Sequence, residues 1–140
     1  MFNYAIIGSG KQGTASAYDL IKFGDAEKIL LIDSNIRNAK KSAELLNQLT
    51  NSDVCVPLQI DVTDTDKMRN QLQKTDSIIS GVPYYYNLEL TKIAIEVGAN
   101  FCDFGGNTDV VKSQLALNDK ALEKNISVVP DCGMDPGMNI

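Results

Sequence analysis

Residues 4–13 read Tyr4-Ala5-Ile6-Ile7-Gly8-Ser9-Gly10-Lys11-Gln12-Gly13. A short apolar run stops at a glycine and continues as G-x-G-x-x-G. Gln12–Phe23 follows with small and apolar residues at Ala15, Ala17, Leu20 and Ile21, a helical spacing that ends at Gly24. Strand, glycine turn and helix in that order form a phosphate cradle. Gly8 permits the tight turn, Gly10 lets a ligand approach the backbone, and Gly13 lets the helix lie close to the sheet. The first N–H groups of the helix and its positive end then face an anion, so Ser9, Lys11 and Gln12 belong to the same candidate loop. Twenty residues after Gly13 comes Asp33, at the tip of the apolar run Ile29–Ile32. An acid there accepts both hydroxyls of a ribose. The pattern therefore predicts a dinucleotide, and NAD before NADP, because a 2′-phosphate would meet a like charge.

Outward from this stretch, strand-like and helix-like segments alternate to the end of the chain. Strands are expected at Tyr4–Ile7, Ile29–Ile32, Val54–Ile60, Ser77–Ser80, Phe101–Phe104 and Ser127–Val129. Helices are expected at Gln12–Phe23, Asn35–Leu49, after Asp61-Val62-Thr63-Asp64, at Leu88–Val97, and over much of Val110–Lys124. Thr63 and Asp66 have capping-box spacing, with Asp in place of the usual Glu. The alternation predicts an α/β fold: a doubly wound, mostly parallel sheet of about six strands, the Rossmann arrangement. One domain over residues 1–130 accounts for it, with 131–140 a loop leading onward.

Composition narrows the function classes. The 140 residues carry 18 acids against 13 bases, a net charge of -5, which argues against nucleic acid or an anionic membrane as partner. A cofactor phosphate is still admissible, because backbone N–H groups hold it. There is no histidine, and Cys55, Cys102 and Cys132 are too few and too scattered for a disulfide framework or a zinc site, so no metal is expected. No basic, apolar leader opens the chain, and no segment approaches the ~20 apolar residues of a membrane span. A cytoplasmic protein is expected.

Further candidates lie at the strand ends. Arg37, four residues past Asp33, either reaches a 2′-phosphate or is a solvated base on the next helix; Ser34 joins Asp33 at the strand tip. Asp61 and Val62 suit the adenine side, or cap a helix. Gly81-Val82-Pro83 ends the fourth strand with a low turn that lets the nicotinamide half pass. Of Tyr84, Tyr85 and Tyr86, at least two are expected to be packed. Cys102 reads as core filling, and Cys132 has no histidine to activate it as a nucleophile. Asp103 and Asp131 are candidates for the substrate side, while the catalytic group itself is not identified.

Taken together, Gly8-x-Gly10-x-x-Gly13, Asp33, Gly81-Val82-Pro83, Asp103-Phe104-Gly105-Gly106-Asn107 and Pro130-Asp131-Cys132-Gly133-Met134-Asp135-Pro136-Gly137 resemble the saccharopine dehydrogenase family, nearest its lysine 6-dehydrogenase and saccharopine-reductase-like branch. The resemblance spans the whole chain. It implies an oxidoreductase that moves hydride between NAD or NADP and the carbon bearing the side-chain amine of an amino acid such as lysine or saccharopine. It also implies a second domain that supplies the substrate pocket, and often a homodimer. Because the chain ends three residues after the closing motif, it is expected to be the cofactor half, binding nucleotide without turnover. An alternative is a nucleotide-sensing Rossmann module of the kind that regulates channels and transporters.

Overall fold

The computed structural model describes residues 1–133. Six strands form one sheet: β1 (Phe2–Ile7), β2 (Ala26–Asp33), β3 (Cys55–Gln59), β4 (Ser77–Ser80), β5 (Asn100–Asp103) and β6 (Val128–Val129). Their order is β3-β2-β1-β4-β5-β6 and every pairing is parallel. The mostly parallel sheet expected from the sequence is thus wholly parallel. Pro57 lies in β3, where a residue without an N–H is tolerated because that strand is an edge.

Six helices connect the strands: α1 (Lys11–Phe23), α2 (Ile36–Thr50), α3 (Thr65–Leu72), α4 (Asn87–Val97), α5 (Thr108–Leu115) and α6 (Asn118–Glu123). Alternation along β1 divides them between two layers. Ala5 and Ile7 face one side with Met68 and Leu72 of α3 and Leu90, Ile93 and Ala94 of α4. Ile6 faces the other with Ala17 of α1 and Ala43 and Leu46 of α2. Because β1 is central, both its faces are dry, and Ala5, Ile6 and Ile7 are all essentially inaccessible.

Two local expectations are corrected. The cap of α3 is Asp64, whose side chain accepts from Lys67 N–H at 3.1 Å, rather than Thr63. Thr63 is instead turned back on the preceding turn, where its N–H and hydroxyl both donate to Asp61 Oδ1, at 2.9 and 2.7 Å. The long helical stretch over Val110–Lys124 is two helices: Leu117 N–H bonds Gln114 O, an i to i−3 bond that breaks the α spacing before α6 begins. Helix α1 ends at Gly24 as expected, but the left-handed residue that follows is Asp25, at φ 51°.

Among the described residues no helix is long and apolar enough to cross a membrane. No group of three His, Cys, Asp or Glu there is arranged to hold a metal ion. The closing residues Met134–Gly137 lie outside the described residues.

Candidate functional site

The strand order reverses at β1, with β2 on one side and β4 on the other. That switch point is where open α/β sheets place their ligands. A cleft of about 370 Å³ opens there, along the carboxyl ends of β1–β4. It gathers Gly8, Gly10, Asp33, Ser34, Asp61, Val62, Gly81, Val82 and Pro83, nine of the residues singled out in the sequence. Ile7, Ile32, Ile60, Tyr85 and Tyr86 complete the lining; the isoleucines are the last apolar residues of their runs and give the cleft a dry floor.

The glycine loop is held in place before any ligand arrives. Gly8 has φ 98°, a value that L side chains rarely adopt, and a Cβ on it would sit 2.9 Å from Gly81 O. Gly81 N–H bonds Ile7 O at 2.8 Å, so the turns after β1 and β4 lie against each other. Ser9 is 4% exposed: its N–H and hydroxyl both donate to Asp33 Oδ2, at 3.1 and 2.8 Å. Its carbonyl accepts from the Thr14 and Ser42 hydroxyls, at 3.3 and 3.0 Å. The loop is thereby tied to β2 and α2 at once. Gly10 is the N-cap of α1 and has no side chain to cap it, so the first-turn N–H groups stay open to an anion. A Cβ on Gly10 would meet nothing within 4 Å, whereas one on Gly13 would overlap Gly8 O and come within 3.0 Å of Ile6 Cγ2.

The other candidates fall elsewhere. Lys11 lines a second groove on the α1–α2 side, Gln12 is exposed, and Arg37 is exposed on the first turn of α2 and lines neither cavity. Asp61 lines the cleft and also makes the turn before α3. The Thr63 hydroxyl and N–H hold its carboxyl below the usual carboxylate range. Of the three tyrosines only Tyr86 packs against the core, while Tyr84 and Tyr85 are 40% and 60% exposed. The short 3-10 turn Tyr84–Tyr86 turns two of the three phenols outward, where packing of at least two was expected.

Asp103 and Asp131 sit together away from the cleft lining. Asp103 is fully buried and its carboxyl accepts from Gly105 N–H at 2.7 Å, Asp131 N–H at 3.2 Å and Gln114 Nε2 at 2.7 Å. Asp131, at φ 62°, accepts from Gly106 N–H at 3.2 Å. These bonds stitch the Gly105-Gly106 loop to the segment leaving β6, and Cys132 N–H adds a 2.7 Å bond to Asp103 O. Sequence reading missed the partner that organises this cluster, Gln114, because its signal is only a buried amide on an otherwise exposed helix.

The thiols are suppressed as nucleophiles. Burial pushes Cys55 up to about 11, and burial, then Cys132, then Asp103 push Cys102 up to about 11. Cys102 is half-buried rather than core filling. A thiol whose folded pKa is raised favours the protonated native state. That contribution is complete below the ordinary value of 9.0 and disappears as pH rises through about 11, so stability should decline across that alkaline window. At pH 8 the thiolate fraction at each site falls on the order of a hundredfold. Peptide-resolved alkylation should therefore label Cys55 and Cys102 far more slowly in the native chain than in urea. Equal rates would contradict the burial.

A wholly parallel sheet, a glycine loop at its switch point and an acid at the next strand tip define a class: the nicotinamide dinucleotide-binding domain of an oxidoreductase. The model of the saccharopine dehydrogenase NADP binding domain matches residues 4–129, and the chain belongs to that family. It is 27% identical over 104 residues to saccharopine dehydrogenase (NADP(+), L-glutamate-forming) of Schizosaccharomyces pombe. That match covers 74% of this chain and 22% of the relative. Among solved structures, apo L-Glu-forming saccharopine dehydrogenase from Saccharomyces cerevisiae superposes with TM-score 0.75 at 22% identity, covering 99% of this chain and 29% of that one. Shikimate dehydrogenase of Mycobacterium tuberculosis superposes with TM-score 0.70 at 14% identity, over 94% of this chain and 46% of the other. The chain thus spans less than a third of the saccharopine dehydrogenases it matches, and the likeness to the solved structures concerns the fold.

Proposed function

We propose that this chain is the cofactor-binding part of a dehydrogenase acting on the side-chain amine, or secondary amine, of an amino acid such as lysine or saccharopine. The observation that carries the reading is the convergence of Gly8, Gly10, Asp33, Asp61 and the Gly81–Pro83 turn on one cleft at the switch point. Within it, the open N–H groups of α1 hold the pyrophosphate and Asp33 the adenosine ribose. Asp61 and Val62 border the adenine, and Gly81, Val82 and Pro83 border the nicotinamide half. When bound, the nicotinamide supplies the hydride acceptor or donor. This chain's own residues bind it, orient it and keep its floor dry through Ile7, Ile32 and Ile60. Residues of a further domain would complete the substrate side, so these 140 residues are expected to bind dinucleotide without turnover. Lysine- or saccharopine-dependent formation of reduced cofactor by this chain alone would overturn that part.

Gly10 separates binding from folding. Its backbone, φ -71° and ψ -169°, suits any residue, and a Cβ there meets no protein atom. Gly10→Ala should therefore leave stability within about 0.5 kcal/mol of the native chain, or raise it slightly. The same methyl stands where the pyrophosphate must approach the backbone, so dinucleotide affinity should fall by about tenfold or more. Calorimetric titration beside a thermal melt reads both. Unchanged affinity would remove the phosphate from this loop.

A further inference from the structure

Five polar side chains are buried together where β4 and β5 meet α4 and α5: Ser80, Asn87, Thr91, Asp103 and Gln114, each 2% exposed or less. They form one continuous run of hydrogen bonds. The Ser80 hydroxyl donates to Asn87 Oδ1 at 2.7 Å. The Thr91 hydroxyl donates to Asn87 O at 2.8 Å and accepts from Gln114 Nε2 at 2.9 Å, and Gln114 Nε2 also donates to Asp103 Oδ2 at 2.7 Å. The two ends of the run serve different parts of the site. Ser80 is the last residue of β4, directly before the Gly81-Val82-Pro83 turn that lines the cleft. Asp103 is the last residue of β5, and its carboxyl gathers the N–H groups of Gly105 and Asp131. A shorter route joins the same two places: Phe104 N–H reaches Ser80 O at 3.4 Å, and a Cβ on Gly81 would lie 3.3 Å from the Phe104 ring.

We propose that Thr91 and Gln114 are positioning residues: through this run they hold the turn after β4 and the loops after β5 and β6 as one rigid body, which sets the nicotinamide end of the cofactor against the substrate side. The inference rests on the cofactor reading above and adds residues that touch no ligand. Neither lines the cleft, so they act through Ser80 and Asp103. Apolar side chains of the same shape could stabilise this region about as well. Apolar contact, however, is non-directional and lets two elements slide. Buried hydrogen bonds hold donor and acceptor to a narrow range of distance and angle, and in a dry interior they strengthen one another. Hydride transfer needs that constraint, because a displacement of about 1 Å between the reacting groups costs about a hundredfold in rate. Gln114 shows that stability alone does not shape the run. Its Oε1 is buried without a hydrogen-bond partner among the described residues, a cost incurred while Nε2 reaches Asp103 and Thr91 together.

Thr91→Val keeps the shape of the side chain and removes the hydroxyl that joins Asn87 to Gln114; Thr91→Ser keeps the hydroxyl. The full chain and both variants are titrated with 5′-ADP, 2′,5′-ADP, NADH and NADPH, and amide hydrogen exchange is followed with and without the reduced dinucleotide that binds. Thr91→Val should leave the two ADP ligands within about twofold of native and weaken that dinucleotide by about fivefold or more, with Thr91→Ser close to native. In the native chain the dinucleotide should slow exchange at Gly105, Gly106 and Asp131 as well as at Gly81. In Thr91→Val the slowing should persist at Gly81 and vanish at the other three. A circular dichroism melt checks that the variants fold. If Thr91→Val does not, Ser80→Ala, which deletes one oxygen at the other end of the run, should give the same losses. A variant that lowers only the melting temperature, with native dinucleotide affinity and native slowing at Gly105 and Asp131, overturns the inference and leaves the cofactor reading intact. If no nucleotide of the four binds the native chain, the cofactor reading itself falls and the positioning role with it.

Discussion

Gly13→Ala is expected to destabilise the chain by about 3 kcal/mol and to lower its melting temperature by roughly 10 °C. The added methyl would overlap the carbonyl oxygen of Gly8 and press to 3.0 Å against Ile6 Cγ2. Neither neighbour can yield cheaply. Gly8 is pinned by Gly8 N–H to Ile32 O at 2.8 Å and by its close approach to Gly81, while Ile6, next to last in β1, has no exposed surface. Relief must come from α1 lifting away from the sheet, which would pull Ala17 off Ile6, Ile29 and Leu31. Contrast with Gly10→Ala makes the experiment specific. Two glycines of one motif, three residues apart, should differ by several kcal/mol in stability. The one that is harmless to the fold should be the more selective for binding. A melting temperature within about 2 °C of native for Gly13→Ala would mean that the helix does not seat on the loop as described.

What could be read from the amino acids was what depends on local spacing. Apolar runs of four residues ending in glycine or an acid located β1 and β2, and the Ile78-Ile79 pair before Gly81 located β4, because strands buried on both faces read as apolar runs. Strand ends in such a sheet lie at one edge, so Gly8, Asp33, Asp61 and Gly81 could be assigned to one cleft before any coordinates. Contacts between distant side chains were not readable. Ser9 meets Ser42 across 33 residues and Asp33 across 24, and nothing in the spacing marks those hydroxyls as partners. Lys11 and Lys41, which line the α1–α2 groove, look like ordinary solvated residues until the register of the two helices is known. Arg37 shows the same limit: its residue type suggested a phosphate, but its position relative to either cavity is a property of the folded chain. Asp64 rather than Thr63 caps the helix, since Thr63 is turned back toward Asp61, to which its N–H and hydroxyl donate, an orientation that motif spacing does not foresee.

Asp103→Ala should be the other costly change, about 3–4 kcal/mol, and Asp103→Asn should cost only about 1 kcal/mol. Truncation strands the N–H groups of Gly105 and Asp131, whose bonds are part-buried, and one fully buried amide hydrogen of Gln114, and leaves a small void. The amide fills the same volume and keeps an oxygen for the two backbone donors, but it brings a nitrogen toward Gln114 Nε2. That clash has a built-in remedy. Gln114 Oε1 is buried and has no hydrogen-bond partner among the described residues, while its Nε2 serves both Asp103 and the Thr91 hydroxyl at 2.9 Å. Turning the amide by half a revolution offers Oε1 to the new side-chain nitrogen. The Thr91 hydroxyl, which donates to Asn87 O at 2.8 Å, can then swing to donate to Oε1 instead. Removing the flip should weaken the rescue: in a Gln114→Leu background, Asp103→Asn should lose part of its advantage over Asp103→Ala, keeping what its oxygen gives to the Gly105 and Asp131 N–H groups. Urea unfolding gives the three free energies, and amide hydrogen exchange at Gly105 and Asp131 reports whether the two loops have separated. If alanine and asparagine cost the same, the carboxyl does not bind these loops together. The segment leaving β6 must then be held by the Cys132 N–H to Asp103 O bond, which neither substitution touches.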